Sequence, residues 1–503
     1  MNGNYAKPQG ESDEIYPVHF IDQAAIIRSS IMSYSFRYNH VLDAQKLRDS
    51  LVMLLSSGDW RKLAGRLRKN KDGKLEIHVP RHFTCHRPPI RFSHVEFHTK
   101  LDAHPLANRL PKKTGNKPSI HDGCNVFREF SVPSAFPSNI NHYLSTDEPL
   151  ICLHINSFTD GTVVSLTIPH SLTDAMGMAD LLQAWTRVFR EQNIESLEAQ
   201  LEGAREDIIT SVGTADDKTA RDTKFVLEER QTTGLSLLAF MARHVVDTLT
   251  YRSIETHHIY LPATFLSYLR QQAEKESRVE NGDENESLPF VSDGDLIAAW
   301  GSRMVLSSRP TNGTAVICNV FDVRRRLDFL ESSPSSRSRA AVYLQNLILP
   351  STTLLTAKEA SSLSVYQIAS RVRKAIVEQT SDAQVRSLMR IARTWFASLG
   401  TMPLFASWDT TRVIGCTNWA KARFLDRADF RPAAITAQEK TSADETKPIE
   451  FWGTTPRTNT NTRDAFIIYG KDHEGDYWVN AYLRKETWHL VKTELDQFAA
   501  NFT

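Results

Sequence analysis

The chain has 503 residues, of which 41% are hydrophobic and 24% are charged, and its 60 lysines and arginines almost balance its 59 aspartates and glutamates. This length exceeds what one hydrophobic core can organise, so we expect a globular protein of two or three domains. A net charge of +1 gives no electrostatic attraction to nucleic acid or to a membrane surface, and we expect neither as a partner.

Cysteine usage and motif content limit the compartment and the cofactors. The five cysteines are scattered and form no Cys-x-x-Cys pair, which predicts a reduced, cytoplasmic protein with no disulfide and no metal site. No apolar run is long enough to span a bilayer, and the first residues are polar, unlike a signal peptide. Glycine-rich phosphate motifs and His-Glu-x-x-His are absent, so we expect no permanently bound cofactor.

In the first half of the chain, hydrophobic periodicity predicts short strands and helices. The first long helix is predicted to start near Asp43, because Leu47, Leu51 and Leu54 share one face. The predicted elements are a strand and turn over 15–34, a helix from 43 toward 67, a strand over 75–79, loops with short elements over 80–148, and strands over 150–158 and 162–168 joined by an Asp-Gly turn.

The second half shows the same mixture of strands and helices in blocks, which favours α+β or mixed α/β layers over one doubly wound sheet. The predicted elements are a linker over 198–234, a helix over 235–251, a strand over 257–261, an exposed loop over 274–287, a helix over 292–302, a strand over 315–322, a mobile loop over 332–338, a helix over 356–380, a strand over 412–418, a polar insert over 437–463, strands over 465–469 and 477–483, and a closing helix.

His170 stands where the strand over 162–168 gives way to a helix, with Asp174 four residues later. Pro169 suits a strand end because it cannot donate to a ladder, and Asp174 is placed as a helix N-cap. The helix is predicted from apolar residues that fall on one face, namely Met178, Leu181, Leu182, Trp185, Val188 and Phe189. A histidine held between two rigid elements is a candidate general base.

The His-x-x-x-Asp spacing is weak evidence by itself. In a chain with 17 histidines, about one such match is expected by chance. A second match, from His98 to Asp102, is followed by no helix signal. The residues alone therefore leave two interpretations of His170 open, a catalytic base and a core histidine beside a capping Asp174.

Six segments occur in one order over nearly the whole chain. They are 47–67 ending in Leu-Ala-Gly-Arg-Leu, 170–177 (His-Ser-Leu-Thr-Asp-Ala-Met-Gly), 322–324 (Asp-Val-Arg), 343–346 (Tyr-Leu-Gln-Asn), 417–419 (Thr-Asn-Trp) and 429–430 (Asp-Phe). In this ordered set the chain resembles the BAHD acyl-CoA-dependent acyltransferases, and more particularly their fungal secondary-metabolism branch. Each segment is weak alone, but the ordered set is hard to obtain by accident.

The resemblance implies a chloramphenicol-acetyltransferase-like fold. Its α+β or mixed α/β architecture has two similarly built domains, each a mixed sheet flanked by helices, with an active-site channel between them. We assign residues 1–197 to the first domain, 198–234 to a crossover linker and 235–503 to the second domain. The implied protein is a monomer that uses acyl-CoA as a co-substrate.

The resemblance also implies the roles of individual residues. His170 is the general base that activates a hydroxyl or amine of a small hydrophobic metabolite, and Thr417 and Trp419 are candidate oxyanion donors. Asp174 orients the site by pairing with Arg324, although Arg325 and Arg326 are rival partners.

One segment departs from the family pattern. Asp429, in the interdomain loop, is followed by Phe430 and then by Arg431-Pro432-Ala433 where relatives carry Gly-x-Gly. Losing both glycines removes conformational freedom and puts the loop geometry on the cofactor side in doubt.

Two other functions stay open at this stage. One is a condensation-like enzyme that takes its acyl group from a carrier protein. Those enzymes usually have a second histidine where this chain has Pro169. The other is a non-acylating cyclase or ligand-binding protein on the same scaffold.

Overall fold

Two mixed β-sheets with flanking helices form the framework of the structure, a computed structural model. It describes residues 13–137, 139–189, 201–281, 290–309, 312–332, 341–435, 450–454 and 462–501. The described strands are β1 (Glu14–Pro17), β2 (Ile31–Tyr38), β3 (Arg66–Lys69), β4 (Leu75–Val79), β5 (Arg91–Glu96), β6 (Ser119–Asp122), β7 (Cys152–Ser157), β8 (Thr162–Pro169), β9 (Leu201–Glu202), β10 (Ile254–Leu261), β11 (Ala315–Asp322), β12 (Val342–Tyr343), β13 (Ile348–Leu355), β14 (Arg412–Asn418), β15 (Glu450–Thr454), β16 (Ala465–Lys471) and β17 (Tyr477–Arg484).

The helices lie against the faces of these sheets. The described α-helices are α1 (Ala25–Arg28), α2 (Ala44–Leu55), α3 (Arg128–Ser131), α4 (Ile140–Ser145), α5 (Ala175–Val188), α6 (Lys218–Asp222), α7 (Gly234–Thr250), α8 (Ala263–Asn281), α9 (Asp293–Ser307), α10 (Asp328–Ser332), α11 (Ala357–Ser362), α12 (Val365–Gln379), α13 (Asp382–Leu399), α14 (Phe424–Arg427) and α15 (Lys485–Asn501). Within the described ranges, none of these helices is long and apolar enough to cross a membrane.

The N-terminal half is organised by a five-stranded sheet in the order β15-β2-β8-β7-β5. Strands β7 and β8 form the antiparallel pair that the sequence predicts. Every residue of β8 is buried, so both of its faces are covered. On one face Ser33 and Ser35 of β2 hydrogen-bond the hydroxyls of Thr167 and Ser165. These bonds satisfy polar groups that burial would otherwise leave without partners.

The C-terminal half is organised by a seven-stranded sheet in the order β13-β11-β14-β16-β17-β10-β6. Its central strands β11, β14 and β16 run parallel, so their carboxyl ends lie at one edge. In α/β sheets, ligands bind preferentially at such an edge. The mixed strand directions confirm the predicted mixed α/β architecture.

Each sheet takes a strand from the other half of the chain. Strand β6, from the first half, pairs with β10 in the C-terminal sheet. Strand β15, from the second half, pairs with β2 in the N-terminal sheet. The domain limits at 197 and 235 stay a prediction. With these limits, β6 and β15 each belong by sequence to one domain and by pairing to the sheet of the other.

Several predicted elements differ from the structure. The loop predicted over 274–287 is helical as far as residue 281, because α8 continues and buries Ser277, whose hydroxyl hydrogen-bonds Tyr366. The helix predicted over 356–380 is two helices, since Ser364 caps a new one. Helix α13 was not predicted, and the insert over 437–463 contains β15. The loop predicted over 332–338 lies almost wholly outside the described residues.

The segment from residue 428 to 435 fastens the second half to the first. Phe430 is fully buried and packs against Trp185 of α5, with ring centroids 4.3 Å apart. The Tyr38 hydroxyl donates to the carbonyl of Ala428, and the backbone N–H of Asp43 donates to the carbonyl of Ala433. This segment therefore depends on the aromatic packing of Phe430.

The departure from Gly-x-Gly in this segment is accommodated by a short 3₁₀ turn over Arg431–Ala433. Among the described non-glycine residues, positive φ angles occur at Arg423 and Asp464 only, so this turn needs no glycine. Arg431 instead forms an ion pair with Asp429, with Nε 2.7 Å from Oδ1. The loop geometry that the sequence put in doubt is thus built from ordinary backbone angles.

We expect Phe430→Ala to lower the free energy of unfolding by about 3–5 kcal/mol, because it empties a packed aromatic site. Urea denaturation of the full chain measures the change. The control is Val377→Ala on α12, where the side chain is exposed and the cost should stay within about 0.5 kcal/mol. Equal losses in the two variants would show that Phe430 does not fasten the halves.

Candidate active site

His170 occupies the sharp connection between β8 and α5. Strand β8 ends at Pro169, a 3₁₀ turn covers His170–Leu172, and Asp174 caps α5 by accepting from the backbone N–H of Gly177. The backbone N–H of His170 donates to the carbonyl of Ser30. Strand, turn and cap together hold the imidazole, as the sequence pattern predicts.

The hydrogen bonds of His170 fix its tautomer. Nδ1 lies 3.0 Å from the carbonyl oxygen of Thr173, and a carbonyl can only accept. Nδ1 therefore carries the proton, and Nε2 is the basic nitrogen of the neutral ring. Burial lowers the pKa of His170 below its ordinary value, although the bond to Thr173 acts in the opposite direction. The ring is consequently neutral at pH 7 and can accept a proton.

A buried ion pair joins Asp174 to Arg324, the residue that follows β11 by two positions. The guanidinium Nη1 lies 2.9 Å from Oδ2 of Asp174, and Nη2 lies 3.0 Å from Oδ1. The same carboxylate also accepts the backbone N–H groups of Gly177 and Leu347. Asp174 is thereby committed to four hydrogen bonds, and its carboxylate is turned toward structure rather than toward a substrate.

Arg324 is held as tightly as its partner. It also donates to Asp322 and to the carbonyls of Tyr343 and Gln345. Burial disfavours the charged guanidinium, but Asp174 and Asp322 outweigh this effect and raise the pKa of Arg324. In the run from residue 324 to 326, Arg324 is thus the arginine that binds Asp174.

Asn346 connects this network to the backbone of His170. Its side-chain amide donates to the carbonyl of His170 at 2.7 Å and to Asp22 at 2.6 Å. Burial raises the pKa of Asp22 to about 7. The sequence pattern contains Asn346 in the segment 343–346 but gives it no role, and it gives no signal for Asp22, because both act through partners distant in sequence.

Gly177 allows these two segments to approach each other. A Cβ at this position would lie 2.2 Å from the Thr173 hydroxyl and 2.7 Å from the carbonyl oxygen of Leu344. The first turn of α5 can therefore pack directly on the segment that carries Asn346. This close approach explains a glycine at the end of the His-x-x-x-Asp block.

Thr417 and Trp419 lie at the carboxyl end of β14, next to the end of β11 that leads to Arg324. The Trp419 ring lies 5.8 Å from that of Tyr34 on β2. Tyr34 is fully buried, and burial together with the nearby charge of Asp174 raises its pKa. The structure thus packs Trp419, from the second half of the chain, against Tyr34 of the N-terminal sheet. The sequence pattern gave no role to Tyr34.

A cavity of about 410 Å³ opens beside Trp419. Phe424, Tyr469 and Trp478 contribute aromatic walls, while the charged groups of the lining are the basic Arg423 and Lys471 and the acidic Asp426 and Asp472. Trp419 contacts two of these walls, with its ring 5.6 Å from Tyr469. Within the described ranges, no group of histidine, cysteine, aspartate or glutamate side chains could hold a metal ion.

Comparison with known proteins identifies relatives along the whole chain. A profile described as "Transferase family" matches residues 129–426. The "Acetyltransferase BOT5" of Botryotinia fuckeliana is 52% identical over 98% of this chain and 92% of its own length. The "O-acetyltransferase PaAT-2" of Phomopsis amygdali is 34% identical over 96% of this chain and 98% of its own length.

A solved structure shares the fold. TRI101 of F. sporotrichioides, determined as a complex with coenzyme A and T-2, superposes with a TM-score of 0.64 over 96% of this chain and 97% of that chain. The two sequences are 17% identical, so this likeness speaks for the fold alone. It confirms the predicted arrangement of mixed sheets flanked by helices.

We expect Asp174→Asn to destabilise the chain by about 3–5 kcal/mol, because it leaves Arg324 buried without its negative partner. The amide also presents a donor to groups that can only donate. The control is Asp102→Asn in the second His-x-x-x-Asp match, where an exposed carboxylate pairs with Lys112 and the cost should stay below about 1 kcal/mol. Chemical denaturation measures the free energy of unfolding of both variants. Similar losses of stability in Asp174→Asn and Asp102→Asn would refute the structural importance of Asp174.

Proposed function

The chain belongs to the Transferase family, and we propose that it transfers an acyl group from acyl-CoA to a hydroxyl or amine of a small hydrophobic secondary metabolite, with His170 as the general base. The observation that carries this proposal is the tautomer of His170, whose Nε2 is the basic nitrogen in a ring held by the Thr173 carbonyl. The acetyltransferase names of two relatives favour acetyl as the acyl group. A fold neighbour bound to coenzyme A supports acyl-CoA as the co-substrate.

The chemistry needs no covalent enzyme intermediate, because a thioester is already activated. Nε2 of His170 takes the proton from the acceptor hydroxyl as its oxygen forms a bond to the thioester carbonyl carbon. The carbonyl electrons move to oxygen and give a tetrahedral oxyanion. Its collapse re-forms the carbonyl and expels the thiolate of CoA, which takes the proton from His170. General base and acid catalysis of this kind contributes about 10²–10⁴-fold.

The lowered pKa of His170 suits both halves of this proton transfer. A neutral imidazole is present at cytosolic pH and can act as a base. Once protonated, the same ring is more acidic than an exposed imidazolium, because burial disfavours its charge. It therefore returns the proton readily to the leaving group.

Thr417 and Trp419 are the proposed donors to the oxyanion. Both lie at the carboxyl end of β14, one strand from the arginine that holds Asp174. The packing of Trp419 against Tyr34 and Tyr469 fixes the indole, and a fixed donor needs no reorganisation when charge develops.

Asp174 and Arg324 act as positioning residues in this scheme. Their pairing aligns the cap of α5, and Asn346 adds a bond to the carbonyl of His170. We propose further that the aromatic cavity beside Trp419 receives the hydrophobic acceptor, since rings such as Phe424 and Tyr469 offer apolar contact area.

The assignment to a cytoplasmic monomer is also part of the proposal. The lack of a membrane-spanning helix among the described residues is compatible with it. Light scattering during size-exclusion chromatography tests the monomer, and a mass near twice 57.0 kDa would refute it.

We expect His170→Ala to lower kcat with acetyl-CoA by about 10²–10⁴-fold and to leave binding of CoA unchanged. CoA at about a hundred times its Kd should stabilise both proteins by roughly 2.7 kcal/mol in a thermal shift assay. Because burial lowers the pKa of His170, kcat/KM of the wild type should rise with pH through a value below 6.5 and be flat near pH 7.

The matched control is His98→Ala, at the exposed histidine of the second motif, which should keep full activity. Retained activity in His170→Ala would exclude this residue as the base. A wild-type chain that CoA does not stabilise would instead exclude acyl-CoA as the donor.

We expect Trp419→Phe and Thr417→Val each to lower kcat by about 10²–10³-fold, the usual effect of removing one oxyanion donor. Phenylalanine keeps an aromatic ring against Tyr34 but removes the indole N–H. The control is Trp488→Phe on α15, whose indole donates to the carbonyl of Glu255 away from His170. Steady-state kinetics decides, and equal kcat values for Trp419→Phe and Trp488→Phe would rule out the oxyanion role.

A further inference from the structure

A second cavity lies at the opposite edge of the C-terminal sheet, between the inner face of α7 and the amino ends of β14 and β16. Its volume is about 50 Å³. Arg412 begins β14 and Thr417 lies near its end, so roughly 16 Å of strand separates this cavity from the candidate oxyanion donors. It is therefore distinct from the aromatic cavity beside Trp419.

Positive charge dominates the walls of this cavity. Four arginines contribute to the lining, namely Arg243 from α7 and Arg412, Arg463 and Arg484 from the sheet and its loops. They share two carboxylates in the lining, and a fifth arginine, Arg309, lies close behind. The guanidinium groups outnumber the carboxylates among the described residues around the cavity.

The two carboxylates pair mainly with arginines that are not the proposed donors, although Oδ1 of Asp464 has no partner among the described residues. Asp247 accepts Nη2 of Arg309 at 2.9 Å and Nη2 of Arg484 at 2.5 Å, and Asp464 lies 3.2 Å from Arg484. Burial raises the pKa of Asp247, but the hydrogen bonds from Arg484 and Arg309 outweigh it and bring the pKa to about 2. Four arginines in the lining thus face two aspartates, and an excess of positive charge remains.

Some polar groups of the lining have no partner within the described part of the chain. Nη1 of Arg243, Nε of Arg463 and the hydroxyl of Thr411 are buried without a hydrogen bond. The Arg463 side chain is only 6% exposed. Buried N–H groups on charged side chains are costly to leave unpaired, so these groups indicate an acceptor that binds in the cavity.

Repulsion between the arginines also indicates that an anion binds in the cavity. Burial, together with the charges of Arg309 and Arg484, lowers the pKa of Arg412 to about 10, although Asp247 and Asp464 act in the opposite direction. A bound anion would offset this repulsion and satisfy the unpaired N–H groups at once.

The size of the cavity selects the ligand. One water needs about 10–15 Å³ of such space, so the cavity has room for a few water-sized atoms, as in one tetrahedral oxyanion. Guanidinium groups match phosphate oxygens through paired N–H donors. We propose that this cavity binds a phosphate group, with Arg243 and Arg463 as charged donors and Thr411 as a neutral donor. The proposal does not rest on the function proposed for His170.

Arg243→Met is the variant that tests the site. Arg243 stacks on Trp408, and the ion pairs of Asp247 are made by other arginines, so the substitution removes a cation without breaking them. The matched control is Arg252→Met, at an exposed arginine just beyond α7 that bonds the carbonyl of Leu249. Thr411→Val is a second, nearly isosteric variant that removes only the hydroxyl.

Calorimetric titration with inorganic phosphate, at constant ionic strength, gives the readout. We expect saturable binding to the wild type and Arg252→Met with equal Kd, about tenfold weaker binding to Arg243→Met through loss of a charge-assisted hydrogen bond, and weaker binding to Thr411→Val. The phosphate-site proposal is overturned if all four proteins bind alike. It is also overturned if the wild type binds neither phosphate nor, through this site, the 3′-phosphate of CoA.

Titration with CoA and with 3′-dephospho-CoA identifies the source of the phosphate. If Arg243→Met weakens the binding of inorganic phosphate and of CoA but not that of 3′-dephospho-CoA, the site holds the CoA 3′-phosphate. If it weakens only the binding of inorganic phosphate, the site holds a free phosphate. If the protein transfers acetyl but Arg243→Met weakens the binding of neither ligand, the phosphate site alone is refuted. If Arg243→Met weakens the binding of at least one of them but the protein transfers no acyl group, the proposed function alone is refuted.

Discussion

The ion pair between Asp174 and Arg324 is the interaction on which the candidate site depends. Two opposite charges taken out of water stabilise a fold only when their remaining donors and acceptors are satisfied. Here the carboxylate accepts four hydrogen bonds, and Nη1 and Nη2 of the guanidinium reach two backbone carbonyls in addition to two carboxylates, which leaves Nε as the one group of the pair without a partner among the described residues. The pair therefore locks the turn that carries His170 to the second half of the chain.

Strand exchange gives this pair a rigid setting. Because β6 and β15 each complete the sheet of the other half, the two halves are joined by backbone hydrogen bonds as well as by side chains. The burial of Phe430 against Trp185 adds an apolar contact on the same side. The parallel strands β11 and β14 bring Arg324, Thr417 and Trp419 to one edge of the sheet, and Arg324 reaches Asp174 from there.

Hydrophobic periodicity and capping residues located many strands and helices of the fold. The strands over 75–79, 315–322 and 412–418 have the bounds that their alternation predicts, and the cap at Asp174 follows from its residue type. The polar sequence over 274–281 misled, because most side chains of α8 from 274 to 278 are exposed while Ser277 is buried and bonds Tyr366. Strand β15 lies in a polar insert and pairs with β2, a partner hundreds of residues away.

The sequence by itself determined the mixed architecture, the helix that starts after Asp174, and the candidate base at His170, because these follow from short-range periodicity and capping. The ordered motifs also led to the family. Only the tertiary structure decided which arginine binds Asp174, that Asn346 bonds the carbonyl of His170, and that four arginines line one cavity. Those contacts join residues far apart in the chain, and local spacing carries no information about which distant groups burial will bring within hydrogen-bonding distance.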